Sequence, residues 1–323
     1  MQAPDFWRRN GWQATLLTPL AGLVTLAGRR RWARARPWRA SVPVICVGNL
    51  VAGGAGKTPV AIDIARQLGT MGLNAHFLTR GYGGRERGPL QVDPARHVAA
   101  TVGDEPLLLA GVAPTWVARD RKAGAEAAVT AGARAIVMDD GFQNPALAED
   151  LSLIVVDGGY GFGNGRVMPA GPLREPVGDG LARADAVVRI GLDSANVATA
   201  ISGALPVLEA TLAAVEPEAL GGRDVVAFAG IGRPAKFFET LEGLGCRLVA
   251  RHAFPDHHPY RRDEVTRLID EAAKANALAV TTAKDAVRLP VDLRQAVTVC
   301  EVALRWTDST GIQALLRRTV GHG

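Results

Sequence analysis

Cysteine is scarce in this sequence, which has three in 323 residues. Cys46, Cys246 and Cys300 are far apart and each lies in an apolar stretch, so the sequence favours neither a disulfide framework nor a Cys-x-x-Cys metal site. We predict buried thiols in a reducing cytosol. Because 48% of the residues are hydrophobic, the chain is globular, and its length allows one large domain or two.

Acidic side chains are nearly absent from residues 1–40, which contain eight arginines and a single acid, Asp5. This segment carries a net charge of +7 against +5 for the whole chain, so the remaining residues are net acidic. A nucleic-acid-binding protein usually carries positive charge across a folded face, and the sequence therefore predicts no nucleic-acid partner. The charge instead predicts a partner for the N-terminal segment.

Residues 10–28 carry no charged side chain and are flanked by arginines on both sides. A stretch of this length just spans a bilayer, yet it contains Asn10, Gln13 and Pro19. We predict an amphipathic helix on an anionic membrane surface, where each nearby arginine contributes about 1 kcal/mol. A spanning helix, a cleavable signal peptide and a helix packed on the protein's own core are the alternatives. The apolar side of the predicted helix consists of Trp12, Leu16, Leu20, Leu23 and Ala27.

A strand, a glycine-rich turn and a helix follow one another between residues 42 and 68. The strand is the apolar run 42–47, and the helix has apolar residues at helical spacing. The backbone N–H groups of such a turn favour a polyphosphate, Lys57 adds a positive charge, and Thr58 offers a hydroxyl to Mg²⁺. The strict motif has a glycine where this chain has Val51, which leaves a chance glycine-rich turn as the alternative. The residues predicted to bind a nucleoside triphosphate are Ala52, Gly53, Gly54, Ala55, Gly56, Lys57 and Thr58.

Acidic pairs occur at the ends of two predicted elements. An apolar strand is followed directly by Asp139 and Asp140, which is how P-loop enzymes hold Mg²⁺ from the strand beside the loop. Asp104 and Glu105 open a predicted helix, where simple capping is the ordinary interpretation. Arg121, after a further predicted strand, either binds a phosphate or forms a surface ion pair.

Strands alternate with helices along the chain, which predicts an α/β fold of P-loop NTPase type, with a mostly parallel sheet covered by helices. Ligands of such a sheet lie at the carboxyl ends of its strands. A second, smaller α/β unit begins near Pro206, and its first strand is predicted at residues 207–212. Its His257–His258 pair is a candidate acid/base or metal group. The predicted domains are a membrane-associating segment (1–40), a phosphate-loop domain (41–205) and a smaller C-terminal α/β domain (206–323).

The chain resembles the tetraacyldisaccharide 4'-kinases, the lipid A 4'-kinases, in a series of blocks between residues 42 and 290. The blocks follow the family order and include Arg80-Gly-Tyr-Gly-Gly84, Asp139-Asp-Gly-Phe-Gln143 and Phe228-Ala-Gly-Ile-Gly-Arg-Pro234. The other blocks are residues 47–59, 103–106, 161–165, 169–176, 256–258 and 281–289. The resemblance implies transfer of the γ-phosphoryl of ATP to the 4'-hydroxyl of a tetraacylated glucosamine disaccharide 1-phosphate, the precursor of lipid A in lipopolysaccharide synthesis.

The resemblance also implies a location at the cytoplasmic face of the bacterial inner membrane, as a peripheral or monotopic protein. A disaccharide with four acyl chains stays in the bilayer, so the enzyme must come to its substrate. The acylated disaccharide and an anionic membrane surface are therefore the expected partners. The sequence indicates no protein partner.

Roles for the site residues follow from the same resemblance, with ATP and Mg²⁺ as the expected cofactors. Asp104 resembles the base that accepts the proton of the sugar hydroxyl, and the family pairs it with a histidine of the second domain. His257 matches that histidine best, and His258 is the next candidate. The residues that would hold phosphate oxygens or Mg²⁺ are Lys57 and Arg121 for phosphate, and Thr58, Asp139 or Asp140, and Glu105 for Mg²⁺.

One position departs from the family. The histidine that usually follows Asp-Asp-Gly-Phe-Gln is Asn144 here. An asparagine donates and accepts hydrogen bonds but carries no proton charge, so an acid/base role at this position is in doubt.

A P-loop GTPase or assembly ATPase that works as a switch at the membrane is the main alternative class. Such a switch would hydrolyse nucleotide without the acylated disaccharide, whereas a kinase requires it. A nucleic-acid-binding protein that uses residues 29–39 is a further alternative, and it would bind DNA with a steep salt dependence.

Overall fold

The computed structural model describes residues 4–201, 203 and 205–321. The predicted N-terminal segment therefore begins, and the predicted C-terminal domain ends, outside the described residues. The strands are β1 (Val44–Gly48), β2 (Ala75–Thr79), β3 (Leu90–Gln91), β4 (Thr115–Val117), β5 (Ala135–Asp139), β6 (Leu151–Asp157), β7 (Ala186–Ile190), β8 (Val207–Ala214), β9 (Asp224–Ala229), β10 (Arg247–Ala253), β11 (Leu278–Thr282), β12 (Thr298–Cys300) and β13 (Val302–Trp306). The α-helices are α1 (Trp12–Arg34), α2 (Lys57–Thr70), α3 (Ala99–Val102), α4 (Asp104–Ala110), α5 (Arg121–Thr130), α6 (Val177–Leu181), α7 (Val197–Ile201), α8 (Pro217–Leu220), α9 (Pro234–Gly243), α10 (Arg262–Lys274), α11 (Ala283–Ala286) and α12 (Thr310–Val320).

Nine strands form the larger sheet, in the order β13-β8-β7-β6-β1-β5-β2-β4-β3. β1 lies in the middle, parallel to β5 and β6, and the antiparallel pairs are at the two edges. All of β1 is buried, with Cys46 packed in the core on one face and Ile45 in the core on the other. A strand covered on both faces reads as a continuous apolar run. The predicted mostly parallel α/β fold is confirmed.

Four parallel strands form the smaller sheet, in the order β10-β9-β11-β12. α9 covers one face through Phe237 and Leu241. α10 covers the other through Val265, Leu268 and Ala272, whose spacing forms one stripe of a helix. The sheet therefore has its own core on each face.

The predicted first strand of the smaller unit lies in the larger sheet instead. Residues 207–212 fall within β8, which pairs with β7 on one side and β13 on the other. The C-terminal α12 also returns to the larger sheet, where Ile312 and Leu316 pack in the same core as Leu208. The assignment of residues 207–212 to the smaller unit is wrong, because alternating apolar residues indicate a strand but not the neighbour with which it pairs.

α1 packs on the protein through small residues and turns its large apolar side chains outward. Ala14 and Ala21 are buried. The exposed large apolar side chains of the predicted side are Trp12 (73%), Leu16 (70%), Leu23 (63%) and Leu20 (50%). The helix does pack on the protein's own core, as one of the alternatives had it, but through Ala21 and Leu17, while the predicted apolar side stays exposed. In the described part of the chain, no helix combines the length and apolar character needed to cross a membrane.

Some arginines near the end of α1 make contacts within the protein. Arg29 forms an ion pair of 2.7 Å with Asp179, and Arg39 pairs with Asp150. Both arginine side chains remain exposed, as do those of Arg30, Arg34 and Arg36. Some of the basic side chains therefore help to hold α1 and the residues after it against the rest of the protein.

Candidate active site

The phosphate loop joins the end of β1 to the start of α2. Gly56, directly before the helix, has a φ of +87° and Gly53 a φ of +114°, a region that glycine enters without steric cost. Gly48 is required for another reason, since a Cβ there would lie 2.3 Å from Cβ of Phe142. The loop therefore packs directly on the segment that follows β5.

Val51 stands where the strict motif has glycine. The long loop that follows β6 holds it in place. It forms an antiparallel bridge with Leu173, and the N–H of Ala52 donates to the carbonyl of Pro172 at 2.8 Å. Its φ is not positive, so the backbone does not require glycine there. The departure from the motif therefore leaves the turn intact.

Lys57 is the first residue of α2, directly after the loop, with its side chain 11% exposed. Its Nζ is 3.3 Å from Oδ1 of Asn49 and 3.6 Å from Oδ1 of Asp140. The amide of Asn49 also donates to the carbonyl of Gly53 at 3.3 Å, so one buried side chain links the lysine to the turn. Sequence reasoning did not identify Asn49, since it is neither a glycine nor charged.

Asp139 lies at the end of β5, where its Oδ2 accepts a hydrogen bond of 2.9 Å from the Thr58 hydroxyl. The carboxyl group is buried and its Oδ1 has no hydrogen-bond partner. Burial and, after it, the charge of Glu105 raise the pKa of Asp139 to about 7. A buried carboxylate beside a hydroxyl and a second carboxylate fits a divalent cation. Among the described residues, no three His, Cys, Asp or Glu side chains are arranged to hold a metal ion alone.

Asp140 has cations around it already. Its Oδ1 accepts a hydrogen bond of 2.7 Å from Arg174 and lies 3.6 Å from Lys57. Burial opposes ionisation, but Lys57 and Arg174 outweigh it and lower the pKa of Asp140. The two adjacent carboxyl groups thus differ in their surroundings, because Asp140 is paired with Arg174 whereas Asp139 is buried with one oxygen unpartnered.

Asp104 and His257 come from the two sheets and meet at the site. Asp104 opens α4 and is buried, whereas His257 follows β10 and its side chain is 30% exposed. The Nδ1 of His257 lies 2.8 Å from Oδ2 of Asp104. Burial raises the pKa of Asp104, but the hydrogen bond to His257 and the charge of Lys284 lower it by more. The carboxylate is therefore ionised at neutral pH, and the imidazole connects it to solvent.

His258 faces different residues. Its Nε2 lies 3.1 Å from Oε2 of Glu264, and its ring stacks on Phe254 with the centroids 4.7 Å apart. Tyr260 meets the same ring edge-on at 4.9 Å. The sequence left open which of the two histidines pairs with Asp104. In the structure, His257 makes this contact.

Glu105 and Arg121 lie on either side of these groups. Oε1 of Glu105 is 3.2 Å from Nζ of Lys284. Arg121 is buried and donates to the carbonyl of Ala118, while its Nε has no hydrogen-bond partner. The surface ion pair considered for Arg121 is therefore wrong, and a buried guanidinium with an unpartnered N–H suits an anionic ligand.

Cations from the smaller sheet also reach the phosphate loop. Arg233 donates to the carbonyl of Gly54 at 3.2 Å, and both Arg233 and Lys236 pair with Asp157 at the end of β6. Sequence reasoning missed these pairs, which join residues 76 and 79 positions apart. The one available signal was a carboxylate directly after an apolar strand.

Asn144, in place of the family histidine, closes a turn. Its N–H donates to the carbonyl of Gly141 at 2.8 Å, and its Oδ1 accepts from the N–H of Ala146 at 3.0 Å. The side chain is thus used in local structure.

The phosphate loop after a central parallel strand, with a neighbouring strand-end carboxylate on its threonine, defines a P-loop nucleotide-binding protein. A buried carboxylate in contact with a histidine lies in the same site, an arrangement that fits phosphoryl transfer to a hydroxyl. The class is therefore that of the P-loop phosphotransferases.

Within this class, the chain belongs to the tetraacyldisaccharide-1-P 4'-kinase family, LpxK, whose sequence pattern matches residues 13–321. The Rhodospirillum centenum protein named tetraacyldisaccharide 4'-kinase is 58% identical over 324 residues, which cover 98% of this chain and 96% of the relative. The protein of that name from Paramagnetospirillum magneticum is 58% identical and covers 95% of each chain. The family resemblance drawn from the sequence blocks is confirmed.

The fold is shared with a crystal structure of LpxK from Aquifex aeolicus in complex with ATP. The two have a TM-score of 0.77 at 24% identity, with 95% of this chain and 99% of that chain covered. The likeness extends over both sheets of this chain, because so little of either chain is left uncovered.

Proposed function

We propose that this protein transfers the γ-phosphoryl of ATP to the 4'-hydroxyl of a tetraacylated glucosamine disaccharide 1-phosphate, the precursor of lipid A. The observation that carries the proposal is the contact of 2.8 Å between Asp104 and His257, next to a phosphate loop in a chain of this family. A nucleotide switch needs no such pair, because water is its acceptor and no sugar hydroxyl is deprotonated.

The phosphates of ATP are proposed to lie on the loop of residues 52–58. Their oxygens would meet the backbone N–H groups of the loop and the charge of Lys57. Arg121, with its unpartnered Nε, would add a second positive charge. These groups offset the negative charge that develops on the transferred group.

The proposed Mg²⁺ ligands are Thr58 and Asp139, with Glu105 near enough to raise the pKa of Asp139. Asp140 is the weaker candidate, since Arg174 and Lys57 already neutralise it. When bound, Mg²⁺ neutralises charge between the β- and γ-phosphates. Phosphate oxygens and water would complete its ligands, as is usual for this ion.

Asp104 is proposed to accept the proton of the sugar hydroxyl and His257 to hold the carboxylate in position and share that proton. Asp104 is ionised at neutral pH because His257 and Lys284 lower its pKa. A positioned base of this kind contributes about 10²–10⁴ in rate. The exposed side of His257 gives the proton a route to solvent.

The exposed side of α1 is proposed to bind an anionic membrane, at the cytoplasmic face of the bacterial inner membrane. A soluble helix normally buries its large apolar residues, and α1 does the opposite while arginines lie at its end. This is the arrangement of an interfacial helix. It would bring the site to a substrate that cannot leave the bilayer.

The activity is tested by incubating the full chain with ATP and the tetraacyl disaccharide 1-phosphate in anionic vesicles. Mass spectrometry should show a product heavier by one phosphoryl group, formed only when Mg²⁺ is present. The control measures ATP hydrolysis without the lipid, which should be slow. Rapid hydrolysis without lipid, together with no phosphorylated lipid, would establish the nucleotide switch instead.

Membrane binding is tested by changing Leu16, Leu20 and Leu23 together to glutamine. Binding to anionic vesicles should weaken by at least about tenfold, because burial of even one leucine contributes roughly 1.5 kcal/mol. The KM for vesicle-presented lipid should rise while the KM for ATP stays the same.

The control for that variant is Leu192→Gln, since Leu192 is 89% exposed and lies outside α1. It should sediment with vesicles as the unchanged protein does. If the triple variant also sedimented normally, another surface would have to carry the membrane contact.

A further inference from the structure

Arg288 is buried between the two halves of the site and has no role in the proposed chemistry so far. Its side chain is 4% exposed. It donates hydrogen bonds to the carbonyl oxygens of His258, Gly230 and Lys284 at 3.1, 2.9 and 3.1 Å. A guanidinium that donates several hydrogen bonds in this way has a fixed orientation as well as a fixed position.

The loop that carries His257 is held at the same carbonyl groups. The N–H of His257 donates to the carbonyl of Gly230 at 3.0 Å, which also accepts from Arg288. The next residue, His258, gives its carbonyl to Arg288 as well. His257 itself has a φ of +59°, in the left-handed region that few non-glycine residues adopt. Arg288 therefore binds the carbonyl of the residue directly after His257 and the Gly230 carbonyl to which the N–H of His257 donates.

Asp285 in turn fixes Arg288. It is fully buried, and its Oδ1 accepts from Arg288 at 2.8 Å, from the Tyr260 hydroxyl at 2.7 Å and from the N–H of Gly230 at 2.8 Å. The carboxylate thus joins the guanidinium to Gly230, whose carbonyl accepts from the N–H of His257, and to the Tyr260 ring that packs on His258.

The guanidinium also faces the other half of the pair. Its Nε lies 3.6 Å from Oδ2 of Asp104, the same oxygen that Nδ1 of His257 approaches to 2.8 Å. Lys284, the other cation of this segment near Asp104, has its Nζ on Glu105 at 3.2 Å. Arg288 thus contacts the backbone of His258 and of Gly230, whose carbonyl also accepts from His257, and it is close to the carboxylate that His257 must meet.

We propose that Arg288 is a positioning residue that sets the imidazole of His257 on the carboxylate of Asp104 when the smaller sheet lies against the phosphate loop. The inference rests on the proposed function, since it concerns the pair to which that function assigns proton transfer. Arg288 acts through His257, so it matters for kcat only where His257 is present.

The test is a double-mutant cycle of Arg288→Met and His257→Ala, measured as kcat at saturating ATP and lipid. Arg288→Met alone should lower kcat about 10²-fold, the loss expected when a catalytic group is misplaced by about 1 Å, with the KM for ATP unchanged. In the His257→Ala background, the same change should cost less than about threefold, because residues that act as a unit are not additive. Equal losses in both backgrounds would overturn the proposal.

Two further variants separate positioning from folding. Arg294→Met is the matched control, because Arg294 also donates to backbone carbonyls of this segment, those of Leu289 and Val287, and should leave kcat unchanged. Arg288→Lys keeps the charge but cannot donate hydrogen bonds to the same set of carbonyl groups. Its kcat should therefore lie between those of Arg288→Met and the unchanged protein. A kcat for Arg294→Met as low as for Arg288→Met would contradict a specific role. Absence of lipid phosphorylation by the unchanged protein would instead contradict the proposed function.

Discussion

Lys57→Ala is expected to lower kcat for phosphoryl transfer at least about 10³-fold while the protein stays folded. The lysine places a single charge between Asn49 and Asp140, directly after the phosphate loop. Charge on the transferred group is greatest in the transition state, and losing a preorganised cation there raises the barrier directly. Folding should be retained, since Asp140 keeps its hydrogen bond of 2.7 Å to Arg174.

The matched control is Lys122→Ala. Lys122 is an exposed lysine on α5 that pairs with Glu126 at 3.7 Å, a surface ion pair of little consequence for stability. Its loss should leave kcat and the KM for ATP unchanged. Turnover near that of the unchanged protein in Lys57→Ala would contradict the assignment of the phosphate loop.

Asp104→Ala and His257→Ala are each expected to lower kcat by much of the range of about 10²–10⁴ that a general base contributes. The two side chains touch at 2.8 Å, and a carboxylate that has lost its imidazole is a base without its orienting partner. The double variant should therefore be little slower than the slower single variant. The measurement is a double-mutant cycle in kcat at saturating ATP and lipid.

His258→Ala is the control for this cycle. Its imidazole lies 3.1 Å from Glu264 and stacks on Phe254, so its removal should reduce stability more than kcat. If the fold-losses of kcat for Asp104→Ala and His257→Ala multiply in the double variant, the two residues act independently. A larger loss of kcat at His258 than at His257 would reverse the pairing proposed here.

Local patterns predicted the parts of the site that lie close together in sequence. The loop from Gly53 to Thr58 follows from glycine spacing after an apolar run, and Asp139 follows from a carboxylate at a strand end. Asp104 was open to interpretation as a simple helix cap, and only the family resemblance assigned it a partner. Its contact with His257 spans 153 positions, and no local pattern encodes such a distance.

For the same reason, the sequence did not identify site residues whose local surroundings in the chain are ordinary. Arg288 lies in a block that the family shares, but one arginine near a helix end is usually a surface charge. Its burial depends on β9, β11 and the loop after β10 meeting in space. The exposed side of α1 shows a related limit: periodicity identified which residues share a side, but not whether that side faces the protein.

The return of the chain to the larger sheet makes the smaller sheet an insertion with two neighbouring ends. Ala214, the last residue of β8, is paired with Val302, the first of β13, and Val215 donates to the carbonyl of Glu301 at 3.0 Å. The chain therefore enters and leaves residues 216–300 through one antiparallel pair of strands, and contacts such as those of Arg233 with Gly54 and of His257 with Asp104 join the two units elsewhere. His257 and Arg288 belong to the inserted segment, whereas Asp104 and Lys57 belong to the larger unit. Substitutions in β8 and β13 are therefore expected to change how the two halves of the site are positioned, although they touch neither half.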